Sequence, residues 1–100
     1  MIRVLVLYPR IEGKRFDFEY YKNYHMPLVK RRLNPTKVEI DLGLSLQDQP
    51  SPYIAVSHLT FESMEQLADR YNSAAQELNE DKLKFTDIEI ITQINEVIEV

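Results

Sequence analysis

The chain contains no cysteine. That excludes a disulfide framework and thiolate chemistry, and it fits a reducing compartment. Glycine is nearly as scarce, with two in 100 residues, too few for the glycine-rich loop that cradles a nucleotide phosphate. A bound nicotinamide or flavin is therefore not expected. Positive charge is in deficit: 12 Lys and Arg stand against 16 Asp and Glu, for a net charge of −4. Without a basic stripe to neutralise phosphates, nucleic acid is not an expected partner. The one cationic cluster, Lys30-Arg31-Arg32, falls at the end of a predicted helix, where cations complement the dipole. Two histidines on separate elements make no metal-ligand cluster. A single inward histidine is thin ground for haem, so no cofactor is expected. No apolar run approaches the ~20 residues of a membrane span, and the first residues lack a signal-type apolar core. The expectation is a soluble cytoplasmic protein, residues 1–100 forming one domain that buries roughly 60–68% of its unfolded surface.

What the chain does have is clear hydrophobic patterning. Residues 2–8 read as a β-branched strand closed by Pro9, and its centre, Val4-Leu5-Val6-Leu7, is apolar on both faces. A polar loop leads to a helix over 17–33, stopped by Asn34-Pro35. Residues 37–46 alternate, with Val38, Ile40, Leu42, Leu44 and Leu46 on one side, as in a half-exposed edge strand. Residues 53–61 form a third strand, again apolar on both faces. Ser63 and Gln66 make a capping box for a second helix. Its stripe of Met64, Leu67, Ala68, Tyr71, Ala74, Ala75 and Leu78 has the spacing of a helix packed on a sheet. A charged connector over 79–86 precedes a last strand over 88–98.

The order is βαββαβ. The fold class is thus α+β, a ferredoxin-like sandwich: a four-stranded antiparallel sheet with two helices on one face. Two helices cover one face only, yet the first and third strands are apolar on both. The bare face needs a partner, and the simplest is a second copy, giving a homodimer through the sheet that closes as a dimeric α/β barrel.

One segment concentrates the chemistry. Phe16 to Leu28 holds five aromatics, one of the two histidines and Pro27. At about 100° per residue Phe18, Tyr21, His25, Leu28 and Val29 share one side of the helix, with Tyr24 at its margin. His25 thus points inward, one turn after a tyrosine. Pro27 has no N–H for the Asn23 carbonyl and is expected to push Met26 away from helical dihedrals, leaving a kink and a free acceptor.

From here the residues resemble a known family. Leu7-Tyr8-Pro9-Arg10, then Phe16-Asp17, Tyr20-Tyr21 and His25-Met26-Pro27-Leu28-Val29, are similar to the opening signature of the EthD family, and the segments from Ala55 to Ser63 and from Phe85 to Val97 match its pattern. The resemblance implies a ferredoxin-like protomer in a homodimeric barrel, with a small cavity between helix and sheet and His25 beside it. The family takes its name from ethyl tert-butyl ether degradation. Many members carry a loose reductase label, and relatives include muconolactone isomerases and aromatic polyketide cyclases. Fold is fixed by such a likeness more firmly than chemistry is.

The expected ligand is a small, mostly apolar, oxygen-bearing molecule. His25 is the candidate general base for a cofactor-free isomerisation or cyclisation. Tyr21 is the candidate to orient it or bind a substrate oxygen, and Asp17 either fixes its tautomer or simply caps the helix. Tyr8, Arg10, Tyr24 and His58 are candidates for substrate contact, Arg10 through its carboxylate-binding fork. His58 reaches the cavity only if its face of the third strand does, which sequence alone leaves open. The blander reading makes His25 a core residue bonded to the Asn23 carbonyl. From a different class, the rival function is a non-catalytic small-molecule-binding accessory protein of a degradation pathway.

Overall fold

Strands with apolar residues on both faces belong at the centre of a sheet, and alternating ones at its edge. In the computed structural model, which describes all of residues 1–100, that rule sets the topology. The elements are β1 (Ile2–Pro9), a first helix (Phe18–Tyr20, Tyr21–His25 and Met26–Leu33 in unbroken succession), β2 (Lys37–Leu42), β3 (Tyr53–Phe61), a second helix (Met64–Lys82) and β4 (Ile91–Glu96). They form one sheet in the order β2-β3-β1-β4, every neighbouring pair antiparallel. The doubly apolar β1 and β3 take the centre. This is the ferredoxin-like arrangement.

Register fixes which side chains meet the helices. Val4 lies opposite Leu59 of β3 and Ile94 of β4, and Leu59 lies opposite Val38 of β2. Directly opposed residues share a face, so Val4, Val6, Tyr8, Ser57 and Leu59 look toward the helices. Leu5, Leu7, Ile54 and Val56 look the other way and are only half-buried. His58 is on that outer face, its Nε2 2.6 Å from Asp41 Oδ2.

The core is densest where β1, the first helix and the segment after the second helix converge. Tyr8, Tyr21 and Phe85 are buried there, with Tyr8 edge-on to Tyr21 at 5.3 Å and Tyr21 5.4 Å from Phe85. Such tilted ring pairs add to the area each aromatic buries. Thr86 ties this segment down: its hydroxyl donates to the Arg15 carbonyl at 2.7 Å and accepts from Ile88 N–H at 3.1 Å.

Four details depart from the sequence expectation. The first helix does not kink at Met26, whose φ of −65° and ψ of −38° are helical. Instead Tyr21–His25 forms a π-helical turn, and the Met26 N–H reaches back to the Tyr21 carbonyl. The extra residue widens the helix just before Pro27, where a tight α-turn would press the proline ring on the Asn23 carbonyl. β2 ends at Leu42, because the chain folds over at Gly43, whose N–H donates to the Ile54 carbonyl at 2.7 Å. Leu44 and Leu46 then belong to an exposed loop, at 79% and 76% accessibility. The second helix runs on through Lys82, a turn beyond Leu78, and β4 is shorter than 88–98 since Ile88 turns into the core instead.

A Cβ at Gly43 would overlap the Ser51 hydroxyl and the Tyr53 carbonyl oxygen. Gly43→Ala should therefore cost about 1–3 kcal/mol, as overpacking does, read as a fall in urea midpoint with an unchanged slope.

Candidate functional site

The π turn sets the site. It brings Tyr21 and His25 onto one inward side of the helix, with accessibilities of 0% and 6% and ring planes 21° apart. π-Helical turns recur at functional sites because the surplus residue re-aims side chains that an α-turn would spread. Phe85 closes on the imidazole from the other side at 4.6 Å.

His25 Nδ1 lies 2.9 Å from Asp81 Oδ2. A carboxylate only accepts, so the neutral ring carries its hydrogen on Nδ1 and leaves the Nε2 lone pair free. Nε2 has no protein partner, and no buried side-chain nitrogen or oxygen goes unpaired. It therefore opens on the cavity that His25 lines. Burial lowers the pKa of His25, the Asp81 bond and charge pulling back only in part. Burial by itself would raise Asp81, but hydrogen bonds from His25 and Tyr20, with the charges of His25 and Lys84, outweigh it and hold the carboxyl below its usual range. The pair at neutral pH is a neutral imidazole on a carboxylate. Tyr20 donates its hydroxyl to Asp81 Oδ1 at 2.8 Å, and Lys84 Nζ stands 3.6 Å from the same oxygen.

The cavity, of about 410 Å³, lies between the two helices and the sheet. Its walls are mainly aliphatic, from residues such as Val4, Val6, Met26, Val29, Leu59 and Leu67. Tyr8, His25 and Ser57 supply polar groups from the first helix and the sheet, and Asn79 and Lys82 supply them from the second helix. Behind the wall, the Tyr21 hydroxyl is 2.5 Å from Ser57 Oγ, which also approaches Met26 Sδ at 3.7 Å. Burial pushes the Tyr21 phenol up to about 12, against the pull of Ser57, and raises Tyr8 as well, with Tyr21 adding to it. Both phenols stay protonated; Tyr8, which lines the cavity, can donate to a ligand oxygen, while Tyr21 bonds to Ser57 behind the wall. No group of three His, Asp or Glu side chains converges to hold a metal ion, and no helix is long and apolar enough to cross a membrane.

Of the residues singled out from sequence, His25 and Tyr8 line the cavity, and Tyr21 reaches its wall through Ser57. The others lie elsewhere. Asp17 caps the first helix, accepting from Tyr20 N–H at 3.1 Å, and the place beside the imidazole belongs to Asp81. Arg10 clips the loop at Ser51, through Nε to the carbonyl at 2.9 Å and Nη2 to the hydroxyl at 3.0 Å. Tyr24 is 66% exposed, resting on Tyr20 at 5.2 Å. His58 is on the far side of the sheet, and the Asn23 carbonyl does not take His25. Asp81 and Ser57 were missed. Asp81 falls three residues after Leu78 and seven after Ala74, so extending the apolar stripe by one turn would have placed it inward.

The sequence model of the EthD domain matches residues 13–89. Among solved structures, an EthD-like protein from Ralstonia eutropha JMP134 is similar at 34% identity and a TM-score of 0.92, over 98% of this chain and 92% of that one. An ethyl tert-butyl ether degradation (EthD) family protein from Bacillus halodurans C-125 shares 18% identity, with a TM-score of 0.79 over 98% and 99%. A protein from Arabidopsis thaliana shares 19%, with a TM-score of 0.71 over 100% and 98%. The last two likenesses speak to the fold. No curated protein matches the sequence.

The buried imidazole has a pH consequence. Its folded pKa is depressed, so the unfolded chain takes up a proton near pH 6.5 that the folded chain refuses. Stability should be full above that pH and fall as pH drops from there toward the folded pKa. Asp81→Asn removes the charge that favours the imidazolium, so His25 should titrate lower still and the loss should grow. Proton NMR titration of the His25 ring, alongside urea midpoints at several pH values, checks both.

Proposed function

The chain belongs to the EthD family, and on that footing we propose that it is a homodimeric, cofactor-free enzyme moving a proton on a small apolar ketone, enol or lactone, with His25 as general base. The observation that carries this is the His25–Asp81 pair, with Nε2 open to an apolar cavity. In such a place a neutral imidazole at pH 7 can take a proton from a carbon beside a carbonyl. Asp81 holds the ring in the tautomer that exposes Nε2 and stabilises the imidazolium that forms, as the carboxylate does in other His–Asp pairs. The enolate oxygen finds donors in the Tyr8 and Ser57 hydroxyls, with Tyr21 behind Ser57. The proton then returns from Nε2 to a second carbon, which completes an isomerisation; or the enolate carbon attacks a second carbonyl of the same ligand, whose C=O π bond opens to an alkoxide that takes the proton back from Nε2 as the ring closes. A cavity of about 410 Å³ is of the size that encloses such a ligand.

Homodimerisation draws support from the outer sheet face. Leu5, Leu7, Ile54 and Val56 are left half-exposed there, and Ile91 beside them is exposed. A contiguous apolar patch of that kind favours a second copy over water. The name of the Bacillus halodurans relative, an ethyl tert-butyl ether (EthD) family protein, suggests a setting in the metabolism of oxygenated hydrocarbons.

Two outcomes test the reading. The protein should exchange the protons beside the carbonyl of 2-tetralone in D₂O faster than buffer, followed by NMR. His25→Ala should lower that rate about 10²–10⁴-fold while leaving 2-tetralone affinity nearly intact. Exchange no faster than buffer would leave only the binding-protein alternative. Separately, sedimentation should find a dimer at micromolar concentration, and Val56→Asp, which sets a charge on the outer face, should yield monomer.

A further inference from the structure

One charged residue bordering the cavity has no use in the chemistry above. Lys82, the last residue of the second helix, lines the chamber and is half-buried. Its ammonium makes no salt bridge and no hydrogen bond within the chain. Lys84 is engaged on Asp81, Arg32 on Glu77, and Arg70 on the carbonyl oxygens of Leu33 and Asn34, and none of these three lines the cavity. No Asp or Glu lines the cavity to balance it. Asp81 is adjacent in sequence, but its oxygens already face His25, Tyr20 and Lys84. A lysine at a helix end complements the dipole wherever it points, which does not explain why this one borders an apolar chamber lacking a counter-charge. Asn79, one turn earlier on the same face, is exposed and lines the cavity too, so its amide lies beside the lysine on the solvent side.

We propose that the cavity takes an apolar organic acid, its carboxylate on the Lys82 ammonium and the Asn79 amide and its hydrocarbon body against the aliphatic walls. A carboxylate brings the missing negative charge, and a charge-assisted hydrogen bond in a partly dry site is stronger than its solvated equivalent. The acid group then orients the ligand, so that a carbon elsewhere on it meets His25 Nε2. This assignment rests on the reading of the cavity as a ligand site and adds the class of ligand.

The probe pair is naphthalene-2-acetate and naphthalene-2-acetamide, alike in shape and different in charge, titrated calorimetrically into the full-length protein. The acid should bind about tenfold more tightly than the amide, as roughly 1.4 kcal/mol of charge-assisted bonding implies. Lys82→Met, which keeps the stem and removes the charge, should bring the two together by weakening the acid alone, and Lys82→Arg should restore the gap. His25→Gln should leave the gap in place, which separates anion recognition from proton transfer. Equal affinities in the unmodified protein, or a gap that survives Lys82→Met, would overturn the proposal while leaving the cavity as a ligand site. Failure of both compounds to bind would overturn the proposal together with that reading of the cavity.

Discussion

The hydrogen bond between His25 and Asp81 is the constraint around which the molecule is arranged. It joins the middle of the first helix to the last turn of the second across Phe85, holding the two helices at the spacing that leaves a chamber above the sheet. Neither group would tolerate that depth alone. A buried carboxylate without donors is costly, and a buried imidazole without an acceptor leaves an N–H unpaired. Together with Tyr20 and Lys84 they satisfy one another, and a single nitrogen lone pair remains directed at the chamber.

Aliphatic walls and a polar interior end serve complementary purposes. The walls leave the imidazole little water to solvate its charged form, which keeps it neutral. The hydroxyls of Tyr8, Ser57 and Tyr21 supply hydrogen-bond donors without adding charge, their phenols held protonated by the same burial. One physical cause, burial, thus favours the neutral form of the imidazole and of both phenols.

Much of this was legible in the sequence. Doubly apolar runs marked β1 and β3 as central, alternation marked β2 as an edge, and the βαββαβ order left one plausible topology. Helical spacing turned His25 inward. What eluded the sequence depended on details that patterning cannot resolve. The π turn arises from crowding around Pro27, which no periodicity encodes. Asp81 is hidden because a carboxylate on an inner helix face contradicts the hydrophobic pattern, and only its pairing with His25 makes the position tenable. The orientation of β3, and so the fates of Ser57 and His58, needed the pairing register with β1. Asp17 and Asp81 are interchangeable as residue types, and only the fold distinguishes the cap from the partner of the imidazole.

The surplus residue in the first helix also fixes a frame. Each residue of an α-helix turns the chain by about 100°, so the π turn rotates everything before His25 against everything after it. Tyr21 and its hydroxyl partner on the sheet belong to one side of that offset, while Met26 and Val29 belong to the other. Loss of a single residue from this turn would let the helix close as plain α-helix with its two halves still in phase, so the cost would fall on the turn itself, where Tyr21 and His25 share one inward side. The count of residues between Tyr20 and Met26 thus decides which side chains face the cavity, while the path of the helix is set by the segments on either side.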